Sequence, residues 1–293
     1  MDHNHTSSEI QKGLWLIAPQ LASRYLHASS KIVDGSASNI KQSEPNAGFV
    51  REIIDSDGNL INIHQQDIPE NSIGIVRCIG PMYKYGGWFN WGTDELLAIM
   101  EDFERNPSII GQIWRDDSGG GTVSSVPEYL HFLKKKTKPV VSLLDMSASA
   151  NYWKNCNTDY VMAENDISAV FGSIGVMLQF YDYSKMLEEM GIIEHIVNAD
   201  QSEDKNKAFE LALKGQYDLI KAEMLNPLAI KFQDYVKAAR PKLKTDNGTL
   251  TGKMFYAEEA LDRNMIDAIG SMEAAIDQVK FLASARSFIS THF

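Results

Sequence analysis

The chain has 293 residues, with 28 Lys and Arg against 39 Asp and Glu and a formal net charge of −11. Hydrophobic residues at 44% and charged residues at 23% exclude wholesale disorder and a fibre, and leave room for one large or two small domains. The acidic balance excludes a nucleic-acid binder, which needs a basic face. The longest apolar runs fall short of the roughly 20 residues of a membrane span, and two isolated cysteines, Cys78 and Cys156, point to a reducing cytoplasm rather than a disulfide framework or a thiolate zinc site.

In chain order, residues 1–9 are polar and lack the basic start and apolar core of a secretory signal. Residues 11–28 place Leu14, Ile17, Leu21 and Tyr25 at helical spacing and predict a short amphipathic helix. Residues 29–47 are rich in Ser and Asn and predict a linker. Residues 49–63 alternate weakly around Asp57-Gly58, a hairpin signal. Residues 1–70 thus form an accessory arm, partly flexible, ahead of a main domain over 71–287 and a tail over 288–293.

From residue 73 the chain alternates. Residues 73–79 form a β-branched run that predicts a buried strand. A Gly-broken aromatic loop leads to Thr93, which predicts the cap of a helix reaching Arg105. Further strands are expected at 109–114, 140–144, 160–163 and 192–197, with a helix at 126–136. Alternation of this kind implies right-handed crossovers and a mainly parallel sheet. Helices are expected at 208–224, at 228–239 with Pro227 at the first position and Asn226 as cap, at 257–264 and at 272–283.

Three segments carry chemistry. The run Asp117-Ser118-Gly119-Gly120-Gly121-Thr122 follows a strand, and consecutive glycines bring bare N–H groups close to a ligand, so it reads either as an oxyanion cradle or as a tight strand-to-helix turn. Residues 146–153 end the third strand in small residues, and Ser147 or Ser149 there reads either as a helix cap or as a serine exposed on a nucleophile elbow. The third, Gly172-Ser173-Ile174-Gly175-Val176, reads by itself as a turn. A nucleophilic serine needs a base. Of the seven histidines, His195 is the one candidate, and no Asp pattern accompanies it. A lysine serves instead where desolvation lowers its pKa. Lys205 and Lys207 are the candidates, each equally readable as a solvated surface residue.

Together, these segments resemble the SppA-type (signal peptide peptidase A) serine proteases, including the phage-encoded members of that family. The resemblance rests on Ser118-Gly119-Gly120-Gly121, on Ser149-Ala150-Asn151-Tyr152-Trp153, and on residues 172–176. It continues through Leu250-Thr251-Gly252, Ala257-Glu258-Glu259-Ala260 and residues 264–270, in the family's order, over roughly residues 73–276. It implies a ClpP/crotonase-like α/β fold, a mainly parallel sheet with βαβ crossovers and a helical C-terminal part. It also implies a Ser–Lys dyad in a homo-oligomer whose protomers shape one another's active sites.

On that resemblance Ser149 is the nucleophile, the N–H groups of Gly120 and Gly121 form the oxyanion hole, and Ala150, Asn151, Gly172 and Ser173 border the substrate pocket. Lys205, 56 residues after Ser149, is the base, with Lys207 second. Two departures are Asn151, where the family has a small residue, and the shifted lysine. The resemblance implies a polypeptide substrate and no cofactor, metal or nucleic acid. The missing membrane anchor points to the soluble, phage-type branch that processes head or scaffold proteins in the cytoplasm. The rivals are a catalytically silent oligomeric homologue acting as an assembly scaffold, and a crotonase-type enzyme acting on acyl-CoA.

Overall fold

A strand buried on both faces organises the fold. Strand β7 (Val140–Ala148) presents Val141 and Leu143 to one face and Val140 and Leu144 to the other, all of them buried. A strand apolar on both sides has to be covered on both sides, as in a parallel sheet flanked by helices. The computed structural model describes residues 14–17, 50–61, 67–87 and 90–292, and in it β7 lies inside a nine-stranded sheet. From one edge the order is β11 (Met254–Tyr256), β9 (Val170–Gly172), β7, β5 (Ile109–Ser118), β4 (Ser72–Ile79), β2 (Arg51–Ile54) and β3 (Leu60–Ile61). Strand β8 (Tyr160–Ala163) also pairs with β7, and β12 (Ala268–Ile269) lies beyond β8. Strands β4, β5, β7, β8 and β9 run parallel, while β2, β3 and β11 close the edges antiparallel. This is the mixed α/β architecture with a mainly parallel sheet that the alternation predicts.

Helices α1 (Thr93–Arg105) and α2 (Val126–Lys135) cover one face, where Met100, Phe103, Tyr129 and Phe132 pack with Trp114. The other face is covered by α8 (Met272–His292), whose Ala275, Ile276 and Val279 meet Ile73, Ile75, Ile113, Val141 and Leu143. Between them lie α3 (Ala150–Asn155), α4 (Ser184–Glu189), α5 (Lys207–Leu213), α6 (Asn226–Ala239) and α7 (Ala257–Asp262). A separate three-stranded sheet is made by β10 (Met177–Leu178), β1 (Leu14–Ile17) and β6 (Gly120–Thr122), in that order.

The hairpin at Asp57-Gly58 forms as expected. Ile54 faces Leu60, Gly58 sits at φ +85°, and the Asp57 and Asn59 amides donate to Asp55 Oδ1. Its strands extend the main sheet through β4.

Several expectations are corrected. Leu14–Ile17 is a strand and not a helix, because two partner backbones flank it; the rest of the expected 11–28 helix and the 29–47 linker lie outside the described residues. Helix α1 is capped by Gly92, one residue before Thr93, whose hydroxyl instead donates to the Tyr83 and Ser125 carbonyls. Residues 192–197 form no strand: no strand among the described residues pairs with them, and Ile193 and Val197 are 74% and 91% exposed. The expected 208–224 helix breaks after Leu213, where Gly215 takes φ +76°. Asn226 is not a cap, since the preceding residues 221–225 are already helical in a π-helical turn that runs into α6.

Candidate active site

Strand β7 gains its last neighbours from two directions. Its second edge is shared by β8, along residues 141–144, and β9, along residues 146–148. On its first edge the register with β5 slips between Asp116 and Ser118, so that Ser118 comes opposite Ser147. The chain then turns sharply into α3 at Ser149, which takes φ 55° and ψ −119°. That conformation is rare for a residue with a Cβ and costs on the order of 1–3 kcal/mol. Two backbone hydrogen bonds hold it: the Ser149 amide donates to the Gly172 carbonyl at 2.9 Å, and the Trp153 amide donates to the Ser149 carbonyl at 2.9 Å.

What over-determines the turn is α3, whose six residues are all buried. The Tyr152 hydroxyl donates to the Met265 carbonyl at 2.9 Å. Trp153 stacks on Phe232 of α6 with ring centres 4.4 Å apart and planes within 7°. Lys154 is fully buried and meets Asp116 of β5 at 2.5 Å, while its ammonium lies 4.8 Å from the Tyr129 ring centre and 5.3 Å from that of Trp114. Asn155 donates to the same Asp116 carboxylate at 2.8 Å and to Asn151 Oδ1. Burial pulls the Lys154 pKa down, but Asp116 and the neighbouring Cys78 outweigh it, and the net shift is upward. Lys154 is thus held in a buried ion pair with Asp116.

Neither cysteine competes for the role of nucleophile. Burial pushes the Cys78 thiol up to about 11 and the Cys156 thiol up to about 12, so both stay protonated and inert at neutral pH.

Two glycine-bearing loops flank Ser149. In the first, Gly120 takes φ +98° and its amide donates to Ser118 Oγ at 3.2 Å. Gly121 lies so close to the Met82 backbone that a Cβ there would come within 2.0 Å of the Met82 carbonyl oxygen. In the second, Gly172 takes φ +131° under the Lys253 carbonyl, and Ser173 follows at φ 53° with its amide donating to that same carbonyl at 3.0 Å.

The segments expected to carry chemistry thus converge. Ser149 is 1% exposed, and its Oγ is buried with no hydrogen-bond partner among the described residues. Ala150, Gly172 and Ser173 lie next to it along the chain or across the strand pair. Asn151 is fully buried beneath the turn, with its carbonyl oxygen accepting from Ser147 Oγ at 3.4 Å. The lysines are not brought in. Lys205 is exposed on a turn, and Lys207 is half-exposed and pairs with Asp204 at 2.9 Å, a bond that raises its pKa. The site residues that sequence reasoning missed are Asp116, Lys154 and Asn155. A charge of each sign at one-turn spacing from the key segments is the faint signal they left.

A serine at the C-terminal end of a parallel strand, at positive φ on a strand-to-helix turn and beside a Gly-rich backbone loop, is a nucleophile elbow, so fold and site together define a candidate serine hydrolase. The chain belongs to Peptidase family S49, whose profile matches residues 131–286 and so takes in Ser149. It is 27% identical over 203 residues to Protease 4 of Haemophilus influenzae, covering 67% of this chain and 32% of that one. It is 26% identical over 195 residues to a putative protease of Methanocaldococcus jannaschii, covering 64% and 61%. The chain therefore spans between about a third and three fifths of the length of these relatives. A solved structure of a membrane-bound stomatin-specific protease superposes on 71% of this chain and 84% of its own, with 12% identity and a TM-score of 0.46. Among the described residues no helix is long and apolar enough to cross a membrane.

Proposed function

We propose that the chain is a serine endopeptidase that hydrolyses peptide bonds in flexible polypeptides, with Ser149 as nucleophile. The observation that carries this reading is the backbone of Ser149: a non-glycine residue held at φ 55° and ψ −119° by a wholly buried helix, with its hydroxyl oxygen unpartnered. Strain of this kind persists where it serves a site.

In the reaction, Ser149 Oγ attacks the substrate carbonyl, and a neutral lysine takes the hydroxyl proton and passes it to the leaving amine. Backbone N–H groups at Gly120 and Gly121 stabilise the oxyanion, and water then releases the acyl group. Lys205 is the base and Lys207 the second choice. Because both lie on an exposed segment within one chain, the dyad is completed in a homo-oligomer that desolvates the amine. Support for the oligomer comes from apolar exposure before that segment, at Tyr181, Met190, Ile193, Ile196 and Val197, a patch expected to be covered by another surface. The resemblance to phage-encoded relatives points to head or scaffold proteins as substrates and to the cytoplasm as the compartment.

The test is turnover of a fluorescently labelled, disordered polypeptide by the full chain. Ser149→Ala and Lys205→Ala each lower kcat/KM by at least about 10³-fold, while Lys207→Ala retains activity. Undiminished turnover by Ser149→Ala contradicts the proposal. A second reading, a silent scaffold with the same shell, is favoured by the absence of any lysine bonded to Ser149 among the described residues. Failure of the wild-type chain to hydrolyse any disordered substrate would select it.

A further inference from the structure

The two strands that leave the loops around Ser149 do not pair with each other. Strand β6 leaves the Gly-rich loop, β10 leaves the loop over 172–176, and β1 lies between them, antiparallel to both. On one side Ile17 faces Gly120, Leu16 faces Gly121 and Trp15 faces Thr122. On the other, Leu14 faces Leu178 and Trp15 faces Met177.

Both edges start at the elbow. Ser118, two residues before β6, is opposite Ser147, and Gly172, where the β10 loop begins, is opposite Ala148 and accepts from the Ser149 amide. An extended segment between β6 and β10 is therefore flanked on both sides by chain that leads back to Ser149. Binding there runs through main-chain hydrogen bonds on both sides of the segment, the physics of strand addition, which any extended peptide satisfies. Strand β1 takes no part in the nine-stranded sheet, and Ser149 is 1% exposed.

We propose that Leu14–Ile17 is an intramolecular occupant of the cleft between β6 and β10, which an incoming extended chain must displace. The proposal deepens the peptidase reading and rests on it for its consequence, since the occupant would shut the site against substrate. The binding itself is independent of turnover. A tethered occupant competes at an effective concentration in the millimolar range, so it lowers the apparent affinity for a peptide in trans by the fraction of time the cleft is filled.

The experiment uses the full chain carrying Ser149→Ala, which cannot turn over, and a fluorescein-labelled peptide with the sequence of residues 13–19. Binding is followed by anisotropy with and without Leu16→Pro, which removes an N–H and cannot sit in a strand paired on both edges. The expected result is at least about tenfold tighter binding to the proline variant. The backbone amide of Gly121 and those at 177–178 exchange faster in that variant and recover protection on peptide addition, while amides of β7 stay protected. Equal or weaker binding by the variant, or unchanged exchange at Gly121 and 177–178, overturns the proposal. Where the β7 amides show that Leu16→Pro fails to fold, Leu14→Gly/Leu16→Gly, which weakens the strand without breaking the chain's fit, carries the same expectation. Tighter binding together with no hydrolysis by the wild-type chain supports the cleft and removes the peptidase reading. Hydrolysis without any gain in affinity does the reverse.

Discussion

Ser149 is held in a backbone conformation that its own side chain opposes, and glycine is the residue that would adopt it at no steric cost. Packing alone gives no reason for a serine there: its hydroxyl is buried and unpartnered, which costs further free energy. The account thus predicts that Ser149→Gly raises the stability of the chain by about 1–3 kcal/mol while abolishing turnover, as chemical denaturation and the labelled-substrate assay would show. A loss of stability on this substitution would mean that the serine is structural. The elbow was legible in the sequence as a run of small residues at the end of a strand. Its strain was not, because φ and ψ at one residue depend on what pins the helix after it.

Helix α3 does that pinning, and its chemistry was the least legible part of the site. Neither Lys154 nor Asp116 stands out in the sequence; three-dimensional placement brings them together. Strand β5 runs on to Ser118, which carries Asp116 onto the same face as Trp114, and the six residues of α3 are buried on all sides. A fully buried ion pair is costly to break and cheap to replace. Lys154→Met, which strands the Asp116 carboxylate, is therefore expected to destabilise the chain by about 3–5 kcal/mol, whereas Asp116→Leu/Lys154→Met recovers most of that loss. Equilibrium urea unfolding of the two variants checks this; equal losses in both would show that the pair contributes through packing and not charge. The elements legible in advance were those with strong local patterning: β4, β7, β8, α1, α2 and the Asp57-Gly58 hairpin. Those misread depend on distant or absent partners. Leu14–Ile17 is a strand because β6 and β10 flank it, and residues 192–197 are not a strand because no strand among the described residues pairs with them.

At the scale of the molecule, the sheet delivers a strained serine and two flanking loops, but one chain leaves Lys205 and Lys207 in solvent and an apolar segment uncovered. The proposed assembly reconciles these observations by placing that segment against another copy, where desolvation favours the neutral amine. The most direct measurement of the central claim is peptide mapping by mass spectrometry after fluorophosphonate treatment. It is run on the wild-type chain and on Ile193→Asp/Val197→Asp, with the oligomeric state of each followed by light scattering. The account predicts one adduct, on Ser149, in an oligomeric wild-type chain, and little or none in a dissociated variant. No adduct on Ser149 in the assembled protein, or an adduct on another residue, would contradict it.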